Sequence, residues 1–349
     1  MYIYLLVILF FTACAENKDD TVKSLNNVLM YSQWSLYKNN SFYKEQNIDT
    51  EASIHHKHNI ENFTGNGIKI VVIDDGLDTS HEDLQGAISH TWDLSTNSSD
   101  VEHTLSSEYH GTAVTGIISA RDNNVGLRGL APKSEIIFLK HKQNMSDSET
   151  LELLNKAYSF NPDIISNSWG TYNVSQSVKE KIQEMSISGR DGKGIIFVWA
   201  AGNNQRDIEG DESAIAEVIS VGSTNKNNFR SYYSNYGIAL DIVAPGGDDD
   251  LGIATLDAMG NKGMGAAEQN YILPTNSNLF DGTSASAPIV SAIVAILLEI
   301  DSSLTRVEII NILTTTADKI GNVNYEDGHN IYYGYGKVNL SKAIDRVLQ

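Results

Sequence analysis

A serine stands at position 284, where a nucleophile would be placed. Residues 281–288 read Asp-Gly-Thr-Ser-Ala-Ser-Ala-Pro and continue directly into an apolar run at 289–298. The run predicts a buried helix, and Pro288 is tolerated in its first turn because an amide there would have no helical partner. Free N–H groups at a helix start can stabilise an oxyanion, so Ser284 is either the cap of a core helix or a nucleophile.

Three further polar residues favour the nucleophile. Asp74 ends a β-branched run, His110 opens a predicted helix as His-Gly-Thr, and Asn203 follows Ala-Ala-Gly after another predicted strand. A nucleophilic serine needs a base to accept its proton and a carboxylate to hold the tautomer of that base. The chain order Asp, His, Ser is one known order of this triad. We therefore predict Asp74, His110 and Ser284 as a catalytic triad. Asn203 is the predicted oxyanion donor, together with the backbone N–H of Ser284.

The elements that must position these residues alternate between strand and helix after residue 66. Such alternation, with right-handed crossovers, predicts an α/β fold with a doubly wound parallel sheet between helical layers. In these sheets the site lies at the carboxyl ends of the strands. Apolar runs predict strands at 68–73, 135–140, 163–167, 194–200, 217–223 and 240–244. Helices are predicted at 111–120, 147–160, 178–187, from residue 284 onward and at 305–317.

The motifs around these residues resemble those of the subtilisin-like serine proteases, peptidase family S8. The resemblance covers nearly the whole chain from Gln33 to Asn339 and implies a three-layer fold around a seven-stranded parallel sheet. It also implies an endopeptidase whose substrate backbone adds as a strand to the segment Ser168-Trp169-Gly170. The motifs that carry it are Val71-Val72-Ile73-Asp74-Asp75-Gly76, His110-Gly111-Thr112, Ser168-Trp169-Gly170, Ala201-Gly202-Asn203 and Gly282-Thr283-Ser284-Ala285-Ser286-Ala287-Pro288.

Within that family, the chain leans toward the kexin and furin branch. The doublet Asp74-Asp75 and segments 189–199 and 282–288 are similar to that branch. The resemblance implies that Asp75 lines the pocket for the residue before the cleaved one and favours a basic side chain there. Two positions depart from the branch, because Asn173 stands where it has an acidic residue and Asn235 follows the ordinary subtilisin pattern. A preference for basic residues near the cleaved bond is therefore one expectation. The alternative is that the chain follows the ordinary subtilisin pattern and lacks this preference.

The same resemblance implies one structural calcium ion. Asp83 matches a bidentate ligand of the family, and Asn123 lies in a loop that wraps the ion with backbone carbonyls. Counting back from Gln33, Asn27 matches the N-terminal ligand. Carboxylate, amide and carbonyl oxygens are the mixed hard ligands that calcium takes.

The N-terminal segment predicts export and a lipid anchor. Its apolar run is shorter than the roughly 20 residues that span a bilayer, but it has the length of a signal-peptide core. Thr12-Ala13-Cys14 resembles the bacterial lipobox, in which the cysteine is lipidated; plain secretion and a misassigned start remain alternatives. We expect a lipoprotein-type signal peptide at 1–13, a short tether at 14–32 and a peptidase domain at 33–349. The predicted location is a bacterial membrane, facing the periplasm or the cell exterior.

Composition narrows the partners. The net charge of −19 argues against nucleic acid, because phosphate binding needs clustered Lys and Arg. We expect a monomer that acts on polypeptides. Because the stretch before Gln33 is short, we also expect the domain to fold without a propeptide, either unaided or with help from another protein. A non-catalytic lipoprotein that grips peptides is the rival hypothesis. An esterase of the α/β-hydrolase type is excluded, because it needs Gly-x-Ser-x-Gly and the order Ser, Asp, His.

Overall fold

The structure, a computed structural model, describes residues 29–57, 62–105, 107–264 and 269–349. The predicted signal peptide with Cys14 lies outside the described residues, and so does the predicted calcium ligand Asn27. The lipid anchor and the N-terminal ligand therefore stay predictions.

A seven-stranded parallel sheet forms the centre of the fold, as the sequence predicts. Nearly every residue of the inner strands is buried, since helices cover both faces. The strands are β1 (Lys69–Asp74), β2 (Ile88–Asp93), β3 (Glu135–Lys140), β4 (Ile164–Asn167), β5 (Ile196–Ala200), β6 (Val218–Thr224) and β7 (Ile242–Pro245). Their spatial order is β2-β3-β1-β4-β5-β6-β7, so the chain moves from β1 out to the edge strand β2, reverses direction there, and continues through β3 and past β1 to β4 and the remaining strands.

Helices form a layer on each side of the sheet. In β1, Ile70 and Val72 belong to one buried apolar cluster and Val71 and Ile73 to another, as side chains that alternate along a strand require. Helices α2, α5, α6 and α7 contribute to the first cluster, whereas α3 and α4 contribute to the second. The helices are α1 (Asn40–Glu45), α2 (His110–Ser119), α3 (Asp147–Ser159), α4 (Gln176–Ser188), α5 (Thr283–Ile300), α6 (Arg306–Thr316) and α7 (Leu340–Val347).

Helix α5 is the central helix of the first layer. Among the described residues it is the one helix long and apolar enough to cross a membrane, but 89% of it is buried inside the fold. Its apolar surface is therefore matched by the sheet and by α2, and it is a core helix.

The elements that the sequence analysis missed are short or half exposed. Strand β2 lies at the edge of the sheet, and its sequence Ile-Ser-His-Thr-Trp-Asp alternates too little to stand out. The same holds for helices α1 and α7, which are too short to show a long periodic pattern. It also holds for two short antiparallel strands of two residues each, β8 (Thr255–Leu256) and β9 (Tyr271–Ile272).

Candidate active site

Asp74 and His110 form a hydrogen-bonded pair at the carboxyl edge of the sheet. Asp74 is the last residue of the buried strand β1, and His110 is the first residue of α2. His110 Nδ1 donates to Asp74 Oδ1 at 2.8 Å, and the backbone N–H of Asp75 donates to the same oxygen at 2.9 Å. Asp75 is held in turn, since Gly111 N donates to its Oδ1 at 2.9 Å.

The charges at this edge favour the imidazolium form of His110. Burial alone would lower the pKa of His110, but the charge and hydrogen bond of Asp74, with a further contribution from Asp75, raise it to about 9. Burial would raise the pKa of Asp74, and the interaction with His110 outweighs burial and lowers it. The pKa of Asp75 rises to about 7 because of burial and the neighbouring Asp74 charge.

These three side chains are also the one group of possible metal ligands found close together in the described part of the chain, with ligand atoms within 4.8 Å of one another. The short hydrogen bond between Asp74 and His110 occupies one oxygen and one nitrogen of that group. The arrangement is therefore that of an acid–base pair, in which a buried carboxylate orients an imidazole.

Ser284 is the second residue of α5 and is 9% exposed. Its Oγ donates to the carbonyl oxygen of Ser168 at 3.3 Å, while Ser168 Oγ donates to the carbonyl oxygen of Ser284 at 3.0 Å. The ring of His110 packs against Phe280 at a centroid distance of 5.5 Å, just ahead of the turn that leads into α5. Among the described residues, the Ser284 hydroxyl is thus bonded to Ser168, and no hydrogen bond joins it to His110.

Asn203 is fixed against the first residue of α5. Its Oδ1 accepts hydrogen bonds from both the N and the Oγ1 of Thr283, each at 2.9 Å, and Gly202 N donates to Thr283 Oγ1 at 3.0 Å. These bonds to Oδ1 fix the orientation of the amide, whose Nδ2 is its only hydrogen-bond donor. A Cβ added at Gly282 would lie 3.0 Å from that nitrogen.

The side chain of Asn235 holds the loop at 201–206 in place through hydrogen bonds. Its side chain is fully buried; Nδ2 donates to Ala201 O at 2.9 Å, and Oδ1 accepts from the N–H groups of Asn204 (2.8 Å) and Arg206 (3.1 Å). The sequence indicates Asn235 only as a departure from the kexin-like pattern, and it predicts no role for Thr283. Thr283 could have been found as a neighbour of Ser284 in its motif, whereas no local signal identifies Asn235 as a brace.

A cavity of about 140 Å³ lies beside Ser284. Residues 168–170, predicted to bind substrate backbone, and residues 200–203 contribute to its walls. Asp75, also predicted to bind substrate, is not part of the lining of this cavity. A larger cleft of about 1060 Å³, lined in part by Ile238 and Tyr332, contains none of the predicted catalytic residues.

Of the three residues predicted to bind calcium, Asp83 and Asn123 lie in the described part of the chain, and the loop that contains Asn123 contacts Asp83. Asp83 Oδ2 accepts Leu127 N at 3.0 Å and its backbone oxygen accepts Arg121 N at 2.7 Å, so the loop wraps this residue. Asp83 Oδ1 is buried and has no hydrogen-bond partner among the described residues, which is unusual for a carboxylate oxygen and fits a bound cation. Asn123 Oδ1 accepts Val125 N at 2.9 Å and keeps a second lone pair for a ligand.

The site combines a hydrogen-bonded Asp–His pair at the carboxyl edge of a parallel sheet with a serine at the start of a helix, an arrangement that serine hydrolases use. The chain belongs to the subtilase family (Peptidase_S8), whose model matches residues 65–336, and is by family a subtilisin-like serine protease.

Known proteins similar to this chain support the assignment. A calcium-dependent protease of Trichormus variabilis is 28% identical over 81% of this chain and 47% of its own length. A dibasic-processing endoprotease of Yarrowia lipolytica is 30% identical over 82% and 31%, respectively. The solved structure of a serine protease of Aeromonas sobria shares the fold, with a TM-score of 0.73 at 19% identity over 82% of this chain and 61% of that chain. The chain thus spans about half the length, or less, of these two curated relatives.

Proposed function

We propose that the chain is a serine endopeptidase that hydrolyses peptide bonds within polypeptides through Asp74, His110 and Ser284. The observation that carries the proposal is the 2.8 Å hydrogen bond between His110 Nδ1 and Asp74 Oδ1, at the edge of the sheet where α5 begins. Membership of the subtilase family and the protease names of its relatives support it.

In the proposed reaction, Ser284 Oγ turns from Ser168 to His110 and attacks the scissile carbonyl carbon. His110 Nε2 takes the hydroxyl proton, and Asp74 stabilises the imidazolium through Nδ1. The proton then passes to the leaving amine as the C–N bond breaks, which leaves an ester on Ser284. A water molecule hydrolyses the ester by the same route, with His110 as base and then acid.

The oxyanion that forms in each step needs donors that are already oriented. We assign Asn203 Nδ2 and the backbone N–H of Ser284 to this role. The two hydrogen bonds from Thr283 to Asn203 Oδ1 fix the amide before substrate arrives, so little reorganisation is required.

The substrate is proposed to bind as an extended strand along Ser168, Trp169 and Gly170. Asp75 is proposed to favour a basic side chain at the residue before the cleaved one. The name of the Yarrowia lipolytica relative, a dibasic-processing endoprotease, agrees with a basic preference.

A calcium ion is proposed to bind Asp83 and Asn123, with Asn27 as a third ligand from the N-terminal segment. When bound, the ion would join that segment to the loop at 121–127, which is a structural role. The orphaned Asp83 Oδ1 and the name of the calcium-dependent relative support it. From the sequence we further propose a monomer anchored in a bacterial membrane by a lipid on Cys14 and facing the periplasm or the exterior.

The test is labelling by a fluorophosphonate, which reacts with an activated serine. The protein should be labelled and should cleave denatured protein substrates, whereas Ser284→Ala should do neither and should keep its melting temperature. Ser286→Ala makes the same change two residues further along α5 and should still be labelled. A folded protein that is not labelled and cuts nothing, yet binds peptides, would instead favour the non-catalytic binding protein.

A further inference from the structure

The cavity beside Ser284 contains a carboxylate that the triad does not use. Glu212 is part of its lining, and its side chain is 1% exposed. Thr171 N donates to Glu212 Oε2 at 3.1 Å and to Oε1 at 3.3 Å, and the Thr171 hydroxyl also donates to Oε1. A Cβ added at Gly170 would lie 3.5 Å from Oε2. The carboxylate thus lies against the segment that is proposed to bind substrate backbone.

The charge of Glu212 has no cationic partner in the described part of the chain. Arg206, the arginine of the neighbouring loop, pairs instead with Asp211, its Nη2 lying 2.8 and 2.5 Å from the two carboxylate oxygens. The Arg206 guanidinium also stacks over the ring of Tyr172 at 4.8 Å. A buried carboxylate held only by neutral donors leaves acceptor capacity and negative charge directed at whatever enters the cavity.

A second polar group in the lining accepts or donates no hydrogen bond among the described residues. The Oγ of Ser213, the next residue after Glu212, is buried and has no hydrogen-bond partner among the described residues. An ammonium or guanidinium group has several N–H donors and no acceptor, so a carboxylate and a hydroxyl oxygen suit it. Neither group would gain a partner from an apolar side chain.

We propose that Glu212 makes this cavity select a cationic side chain, lysine or arginine, at the residue whose carbonyl is cleaved. The inference rests on the proposed peptidase function and names its substrate class. It differs from the proposed role of Asp75, which concerns the preceding residue. Where the kexin-like branch has an acidic residue, this chain has the uncharged Asn173. The carboxylate proposed to bind the cationic side chain, Glu212, lies in a different segment of the chain.

The experiment compares fluorogenic peptides that differ only at the cleaved residue: lysine, arginine or norleucine, which has the length of lysine without its charge. We expect kcat/KM for lysine or arginine to exceed that for norleucine at least about tenfold. The preference should persist at roughly 0.5 M NaCl, where the long-range field of the acidic protein is screened. Glu212→Gln should reduce the lysine-to-norleucine ratio about tenfold or more and change norleucine cleavage little.

Glu209→Gln removes the same charge from an exposed position three residues earlier and should leave the ratio unchanged. A second measurement needs no variant: benzamidine should inhibit the unmodified protein at a much lower concentration than uncharged benzamide. A norleucine substrate cut as well as the lysine substrate, or a Glu212→Gln variant that keeps the lysine preference, overturns the inference. Fluorophosphonate labelling in the same samples reports separately on the proposed peptidase function.

Discussion

Asp74 and Asp75 are neighbours in the chain, yet their pKa values shift in opposite directions. Asp74 receives the His110 hydrogen bond, which lowers its pKa. Burial and the neighbouring charge of Asp74 raise the pKa of Asp75 to about 7, although one backbone N–H donates to it. Both carboxylates contribute to the raised pKa of His110, and so both affect the pH above which the imidazole is neutral and can act as a base.

This difference predicts the pH dependence of the reaction. The base form of His110 is populated only above its pKa, so kcat/KM should rise with pH through a midpoint well above the ordinary histidine value. Asp75 is ionised in that range, because its own pKa of about 7 is lower than that of His110, about 9. Asp75→Asn removes one cause of the raised pKa and should move the midpoint down by about one pH unit.

The measurement is the pH profile of kcat/KM on a substrate without charged side chains, so that subsite effects do not enter. Glu152→Gln removes a carboxylate from the exposed side of α3 and should leave the midpoint in place. An Asp75→Asn midpoint that stays fixed or moves up would contradict the assigned electrostatics.

At the scale of elements, the start of α5 determines where the proposed nucleophile, Ser284, and the proposed oxyanion donor, Asn203, lie. Gly282 precedes the helix with φ 113° and ψ 166°, a conformation essentially confined to glycine. The turn brings Thr283 onto Asn203 and places Ser284 against Ser168. Local backbone geometry and the oxyanion donor are therefore linked.

Gly282→Ala should lower both stability and turnover. The strained backbone should cost roughly 1–3 kcal/mol of unfolding free energy. The new Cβ, 3.0 Å from Asn203 Nδ2, should displace the amide and lower kcat at least about tenfold. Gly67→Ala is the control: its φ is also positive, at 79°, but its Cβ meets nothing within 4 Å, so it should lower the melting temperature and spare kcat. Equal kcat values for the two variants would show that Gly282 acts only through strain.

Local patterns predicted the interior of the sheet and the main helices because buried parallel strands are continuous apolar runs. The edge strand β2 was not predicted, because about half of its residues face solvent and it has no continuous apolar run. The residues in short motifs were likewise predictable, and the structure brings Asp74 and His110 together. Asn235 and Glu212 were not, because their roles depend on contacts between distant parts of the chain that no local pattern encodes.

At the scale of the whole molecule, the loop after α2 fastens the N-terminal segment to the domain. Leu29 N donates to Gly126 O at 2.9 Å, and Gln33 and Arg128 exchange two hydrogen bonds, Gln33 Nε2 to Arg128 O at 2.9 Å and Arg128 N to Gln33 Oε1 at 3.1 Å. Asp83 sits inside the same loop with a buried, unpartnered oxygen. A cation at Asp83 would therefore stabilise contacts between parts of the chain far apart in sequence.

Removing calcium should for this reason lower the stability of the whole domain rather than its chemistry alone. A site saturated about a thousandfold above its Kd contributes roughly 4 kcal/mol, which corresponds to a fall in Tm of about 6 °C for a protein of this size. The measurement is thermal unfolding with and without a chelator, followed by addition of calcium or of magnesium. Calcium should restore the Tm and magnesium should not, because a wrapped loop of mixed oxygen ligands suits the larger ion. Asp83→Ala should start at the lower Tm and respond to neither ion; a chelator effect that survives in this variant would place the calcium elsewhere.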